Sequence, residues 1–282
     1  MFKRTIILTI NAFIPHRISL AFFSGFFLSL AIFFNINSSY NNDLYSQLGQ
    51  YINEESDKNG ENPFEKMVRA MNVVYNLQKD NIKYIFHYTP NNFKAKYMRS
   101  SDLDLLDVSG RCGSSSYVLA ETLKNMGFPI RIGQMIVDGK YGGHMLVEAW
   151  HNGRWSVLDP SYNQYFYRPD STLASFNDVS NNFNSYKKQL KPNYEIKYAY
   201  EGVRYTNWDK FGEISQAAKY VLIAFYGKTR VERFSVRKYL INFDKIWATI
   251  FYLISFFLIL MSLIQWWLKR YRLKYLASKN LN

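Results

Sequence analysis

The chain contains a single cysteine, Cys112, at the head of the stretch Ser109-Gly110-Arg111-Cys112-Gly113-Ser114-Ser115-Ser116, which reads as a loop running into a helix. His144 and Asp159 follow at intervals that suit a base and the group that orients it. A free thiol is a poor nucleophile near neutral pH because the thiolate is a minor species. At the first turn of a helix, outward-pointing N–H groups and the positive dipole end stabilise the anion, and an adjacent imidazolium does so further. In such an arrangement His144 accepts the thiol proton and returns it to a leaving amine, while Asp159 holds the ring in the useful tautomer. Backbone N–H groups around Cys112 would receive the developing oxyanion, with Gln78, Tyr97 and Arg111 as candidates for a second donor.

Asn152-Gly153 gives this triad a geometric basis, because that dipeptide between alternating apolar residues is the strongest short-range hairpin signal. A two-residue turn there pairs His151 with Arg154, Trp150 with Trp155 and, continuing outward, Leu146 with Asp159. His144 lies two residues from Leu146 and so shares its face. His144 and Asp159 become diagonal cross-strand neighbours, roughly 7 to 8 Å apart along the backbone. A slip of one residue would place them on opposite faces. Glu148 falls on the His144 face and is expected to pair with Arg131 on a neighbouring strand, and Trp150 and Trp155 are expected to pack on each other across the hairpin end. His87 and His151 read as surface or turn histidines.

The elements that must position these residues are legible in part. Asn62-Pro63-Phe64-Glu65 resembles a helix start, with a cap, Pro at the first helical position and Glu at the third. Phe64, Met67, Val68, Met71, Val74 and Tyr75 then supply one apolar face through about Asp80. Tyr84 to Tyr88 is strand-like, and Thr89-Pro90-Asn91-Asn92 reads as a turn. After Cys112, the stripe of Val118, Leu119, Thr122, Leu123 and Met126 predicts a helix that Gly127 ends. Ile130 to Val137 reads as a strand, Asp138 to Gly143 as a loop, and two more strands flank Asn152-Gly153. Residues 38–62 are polar and read as a linker. Helical spacing returns from Trp208 to Phe225, for a core or membrane-surface helix.

The tails place this domain beside a membrane. Residues 19–36 and 246–268 are apolar runs long enough for transmembrane helices, the second ending in the interfacial pair Trp266-Trp267. Eight of the 35 basic residues lie in the two tails, leaving 27 against all 22 acidic residues between them, so the middle region is only about +5. The high basicity is therefore mostly juxtamembrane, and a nucleic-acid partner loses its support. Basic, acid-free tails read as cytoplasmic, and the 1–18 segment with the 19–36 span reads as an uncleaved anchor. The expected organisation is a cytoplasmic segment 1–18, a span 19–36, a linker 37–62, a catalytic core 63–165, an extension 166–245, a second span 246–268 and a basic cytoplasmic tail 269–282. The spacing of Cys and His residues does not suit a structural zinc site, so no metal or cofactor is expected.

Gly110-Arg111-Cys112 before a helix, then Gly127-Phe128-Pro129-Ile130-Arg131, Gly143-His144-Met145-Leu146-Val147-Glu148-Ala149-Trp150 and Gly153-Arg154-Trp155-Ser156-Val157-Leu158-Asp159-Pro160 succeed one another in the order of the transglutaminase-like superfamily. Over residues 105–165 the chain resembles that family, whose members share a papain-like Cys-His-Asp core. The resemblance implies an α+β fold in which the helix bearing the cysteine packs on an antiparallel sheet bearing His and Asp. It also implies Cys112 as nucleophile, His144 as base and Asp159 as orienter in acyl transfer at an amide. Three functions are carried forward: a cysteine peptidase or amidase acting on a peptide or protein amide, an amine acyltransferase, and a non-catalytic scaffold with envelope or surface-polysaccharide assembly partners. Each would sit at the bacterial cytoplasmic membrane, tethered in the lipid bilayer by two spans with the domain outside.

Overall fold

The computed structural model describes residues 17–81, 105, 112–210 and 212–279. The strand-like 84–88 stretch, the turn at 89–92, His87, Tyr97 and Arg111 lie outside them. Two compact units emerge, one formed by the two ends of the chain and the other by Tyr40–Phe243.

In the terminal unit, helix α1 (Arg17–Lys58) and helix α8 (Phe243–Lys279) each contain a stretch long and apolar enough to cross a membrane. They pack through rings and hydroxyls. Phe27 and Phe34 lie 5.8 and 5.7 Å from Phe251, and Ser24 and Ser255 exchange hydrogen bonds, with their hydroxyls 3.1 Å apart. Small polar side chains of this kind let apolar helices approach closely and give each a directional contact.

The central unit is mixed helix and antiparallel sheet. Its helical layer contains the later turns of α1, α2 (Pro63–Asn81) and α3 (Cys112–Asn125), and the short helices α4 (Phe176–Asn181), α5 (Phe183–Tyr186) and α7 (Lys228–Glu232) come later in the chain. The five-stranded sheet contains β1 (Ile130–Val137), β2 (Lys140–His151), β3 (Arg154–Asp159), β4 (Gln164–Tyr165) and β5 (Val203–Arg204), in the order β4-β3-β2-β1-β5. Ile130, Ile132, Met145, Val147, Ala149 and Leu158 form one core with Met67, Met71 and Val74 of α2 and Val118, Leu119 and Leu123 of α3. Met135, Leu146 and Val157 join a second core with Phe166, Phe176, Tyr194, Tyr198 and Tyr200. The two-residue periodicity of the strands thus feeds both layers.

Local chemistry sets the boundaries of these elements. The side chain of Asn62 accepts from the N–H groups of Phe64 and Glu65, while Glu65 accepts from the N–H of Asn62, completing the capping box that opens α2. At the end of α3, Phe128 N–H donates to Leu123 and Gly127 N–H to Lys124, both at 3.0 Å, with Gly127 at φ +93°. This is the paired-bond stop of the Schellman motif, and a Cβ is strained at that angle. Gly127→Ala is expected to cost about 1 kcal/mol, read as a lowered thermal midpoint in detergent.

Three sequence expectations need correction. Residues 37–58 are helical rather than a linker, because Tyr45, Leu48 and Ile52 recur on one face and join the core. The intervening Asn, Ser and Gln residues mask that stripe in a hydropathy reading. The loop expected at 138–143 shrinks to a two-residue turn, since Val137 pairs with Lys140 and β2 begins there. Glycines at the start of β2 accommodate close contact rather than a loop: a Cβ on Gly143 would come within 2.5 Å of Val137. Finally, the 208–225 helix starts at Gly212 as α6 (Gly212–Tyr226) and buries none of its residues, so it is not a core helix.

β5 pairs with β1 only at Gln134 and Met135, which leaves the outer edge of β1 bare near Ile132. The Ser235 hydroxyl fills that gap, accepting from Ile132 N–H and donating to Ile132 C=O, both at 3.1 Å. A buried strand edge must find such partners, and here one side chain replaces a strand neighbour.

Candidate active site

The hairpin register is as the Asn152-Gly153 turn predicts, with His151 opposite Arg154, Trp150 opposite Trp155 and Val147 opposite Leu158. Asn152 and Gly153 carry φ of 47° and 79°, the positive pair that a primed two-residue turn requires. Trp150 and Trp155 pack with centroids 5.2 Å apart. His151 is half-buried, with Phe64 at its edge at 5.5 Å, so it packs rather than standing free on the surface.

Continued outward, this register brings His144 and Asp159 into contact: Nε2 lies 2.6 Å from Asp159 Oδ2. The other carboxylate oxygen, Oδ1, accepts from Ser161 N–H at 3.1 Å, an Asx-type turn that fixes the carboxylate before it meets the ring. His144 and Asp159 are both buried. Cys112, the first residue of α3, is half-buried, and its thiol lies within hydrogen-bonding reach of the imidazole. Since Nε2 is taken by Asp159, Nδ1 is the nitrogen left for the sulfur. The run Gly113-Ser114-Ser115-Ser116 is small, so the first turn of α3 can lie close to β2. A Cβ on Gly113 would stand 3.7 Å from Met145 Sδ.

Burial is the largest single influence on His144 and disfavours its proton. The charge and hydrogen bond of Asp159, followed by the hydrogen bond and charge of Cys112, outweigh it and push the pKa up to about 10. A free histidine loses its proton near pH 6.5. The stabilisation from this linkage is therefore fully present below pH 6.5 and is lost as pH rises toward about 10. Across that window the thermal midpoint of the wild-type protein should fall relative to His144→Gln. A constant difference would mean that the ring does not hold its proton in the folded state.

Residues beyond the hairpin enclose the pair, and sequence reasoning did not single them out. Tyr198 stacks on the His144 ring at 4.2 Å and 17°, and Tyr162 lies 5.8 Å away. The Tyr162 hydroxyl donates to Glu195 at 2.7 Å. Tyr194 is buried beside Asp159 and Tyr200; its hydroxyl makes no well-formed hydrogen bond, and burial, then the charges of Tyr200 and Asp159, raise its pKa. The available signal was the recurrence of tyrosine at 194, 198 and 200 in a stretch that otherwise reads as polar.

Glu148 and Arg131 are direct cross-strand partners, as expected, joined at 2.8 Å and buried. Glu148 also accepts from Phe176 N–H at 3.0 Å and from the Tyr205 hydroxyl. The Arg131 guanidinium lies between the rings of Trp155 and Tyr205, 4.2 Å from each centroid. Gln78, one candidate for the second oxyanion donor, is buried on α2.

A half-buried thiol heading a helix, beside a sheet-borne and carboxylate-bound histidine, defines a papain-like α+β class. The family model of the transglutaminase-like superfamily matches residues 50–160, and this segment is a transglutaminase-like domain. The match begins in the later turns of α1, ahead of the expected core boundary at residue 63, and ends just past Asp159. No curated protein and no solved structure matches the chain.

Proposed function

We propose that the domain is a thiol acyl-transfer enzyme, acting as a cysteine peptidase or amidase through a Cys112 thioester. The observation that carries this reading is the position of His144, held by Asp159 through Nε2 and pushed up in pKa by both Asp159 and Cys112. In the proposed cycle the resting pair is thiolate and imidazolium. The Cys112 sulfur attacks the substrate carbonyl, and Nδ1–H of His144 protonates the departing amine, leaving a thioester and a neutral imidazole. Acylation removes the sulfur's negative charge, one of the influences that favour the His144 proton, so the neutral ring becomes a competent base. It takes a proton from water, the acid departs, and thiolate and imidazolium are restored. The backbone N–H groups of Cys112 and Gly113, at the start of α3, have no carbonyl partner within the helix and would receive the oxyanion.

The attacking group separates hydrolase from amine transferase. After the full-length protein is acylated by a peptide thioester, release of free acid unaffected by added primary amine supports the hydrolase. Diversion to an amide product supports the transferase. Full complementation of a deletion strain by Cys112→Ala would overturn both and favour a scaffold.

In the proposed setting the two long helices cross a bacterial cytoplasmic membrane, with both termini inside and residues 38–245 outside. Apolar length and acid-free basic tails support this topology. Protease added to spheroplasts should digest the central domain and spare a C-terminal tag. The reverse pattern would invert the topology.

A further inference from the structure

Helix α6 presents an apolar face to solvent. Ile214, Val221 and Phe225 fall on one side at helical spacing and are 80%, 55% and 80% exposed, with Ala217 and Ala218 between them. Gln216, Lys219, Leu222 and Ile223, away from that side, are partly covered. A surface helix of a globular domain turns its apolar stripe inward, whereas this one leaves its Ile214, Val221 and Phe225 stripe in solvent. At 15 residues it is about 22 Å long, short of the roughly 30 Å hydrocarbon layer, and it stops at Gly227.

The chain that follows indicates what covers this face. Between residues 228 and 238 lie Lys228, Arg230, Arg233, Arg237 and Lys238 against one acid, Glu232. Exposed Tyr226, Phe234 and Tyr239 accompany them. Val231 and Ser235 are buried, which fixes the basic segment to the domain. An apolar helix face, a cluster of cations and interfacial aromatics make up the composition that lies in the headgroup region of an anionic bilayer. Only 16 residues separate Tyr226, the end of α6, from Phe243, where the long apolar helix α8 begins.

We infer that α6 docks on an anionic phospholipid surface, its Ile214, Val221 and Phe225 face in the interface and the 228–238 cations on the headgroups. The inference rests on the proposal that the long helices span a bilayer and is independent of the thiol chemistry. The single native cysteine makes the test direct. In full-length Cys112→Ser protein, single cysteines at positions 214, 221, 225, 216, 219 and 260 are labelled with an environment-sensitive fluorophore. The protein is then reconstituted in phosphatidylglycerol-phosphatidylcholine vesicles containing doxyl lipid.

Labels at 214, 221 and 225 should be quenched by doxyl lipid at least about threefold more than those at 216 and 219. That contrast should shrink in vesicles of phosphatidylcholine alone. Position 260, within α8, reports on the span itself. Quenching at 260 without quenching at 214, 221 and 225 overturns the docking and leaves the spanning reading intact, whereas no quenching at 260 overturns the spanning reading. Labels at 214, 221 and 225 shielded from aqueous iodide yet untouched by doxyl lipid would show a protein partner, or a second copy, on this face instead. Equal quenching with and without anionic lipid would overturn the headgroup pairing.

Discussion

Formation of a covalent adduct with an acyl-type electrophile at pH 7 is expected to vanish in Cys112→Ala and to fall about 100-fold or more in His144→Ala. Without the ring, the sulfur loses the cation that stabilises its anion, and the leaving group loses its proton donor. Asp159→Asn should fall less far at the alkylation step than at turnover. An amide still occupies the space beside Nε2, but it removes the negative charge that keeps the ring protonated and oriented. Intact-mass spectrometry of the full-length protein reads all three variants. Circular dichroism and thermal midpoints separate lost chemistry from lost fold.

The second large effect concerns stability. Glu148→Ala is expected to destabilise the domain by about 3–5 kcal/mol, because it leaves the Arg131 guanidinium buried without its counter-charge. The same change strips the acceptor from Phe176 N–H and from the Tyr205 hydroxyl. The Trp155 and Tyr205 rings that flank Arg131 offer only their faces and cannot replace a carboxylate. Glu148→Gln keeps the shape and part of the hydrogen bonding, so its loss should be smaller. Denaturant unfolding in detergent measures both. Equal midpoints for wild type and Glu148→Ala would show that the ion pair contributes nothing net.

The local chemistry of the site was readable because it depends on short sequence separations. The Asn62 cap, the Gly127 stop and the Asn152-Gly153 turn each follow from backbone requirements within six residues, and the turn alone fixes the register that joins His144 to Asp159. Arg131 and Glu148 could be paired from charge and strand order. What stayed hidden depends on distant chain segments. Tyr194 and Tyr198 reach the His-Asp pair from more than 30 residues beyond Asp159, and no periodicity marks that approach. Ser235 completes the β1 edge from 103 residues away through a single hydroxyl. The later turns of α1 were missed for another reason: their buried stripe is thin, and a small residue, Gly49, faces Met126 where the helix comes close to its neighbour.

The central claim is that His144 activates Cys112, and the pH profile of Cys112 alkylation by iodoacetamide tests it most directly. The folded wild-type protein is predicted to react at pH 6 at least about tenfold faster than the same thiol in the urea-unfolded chain, with His144→Ala reduced to the unfolded rate. The wild-type and His144→Ala profiles should converge once the pH passes about 8.5, where an unassisted thiol ionises without help from the ring. A folded wild-type profile that overlays the unfolded thiol, or one that His144→Ala leaves unchanged, would contradict the account.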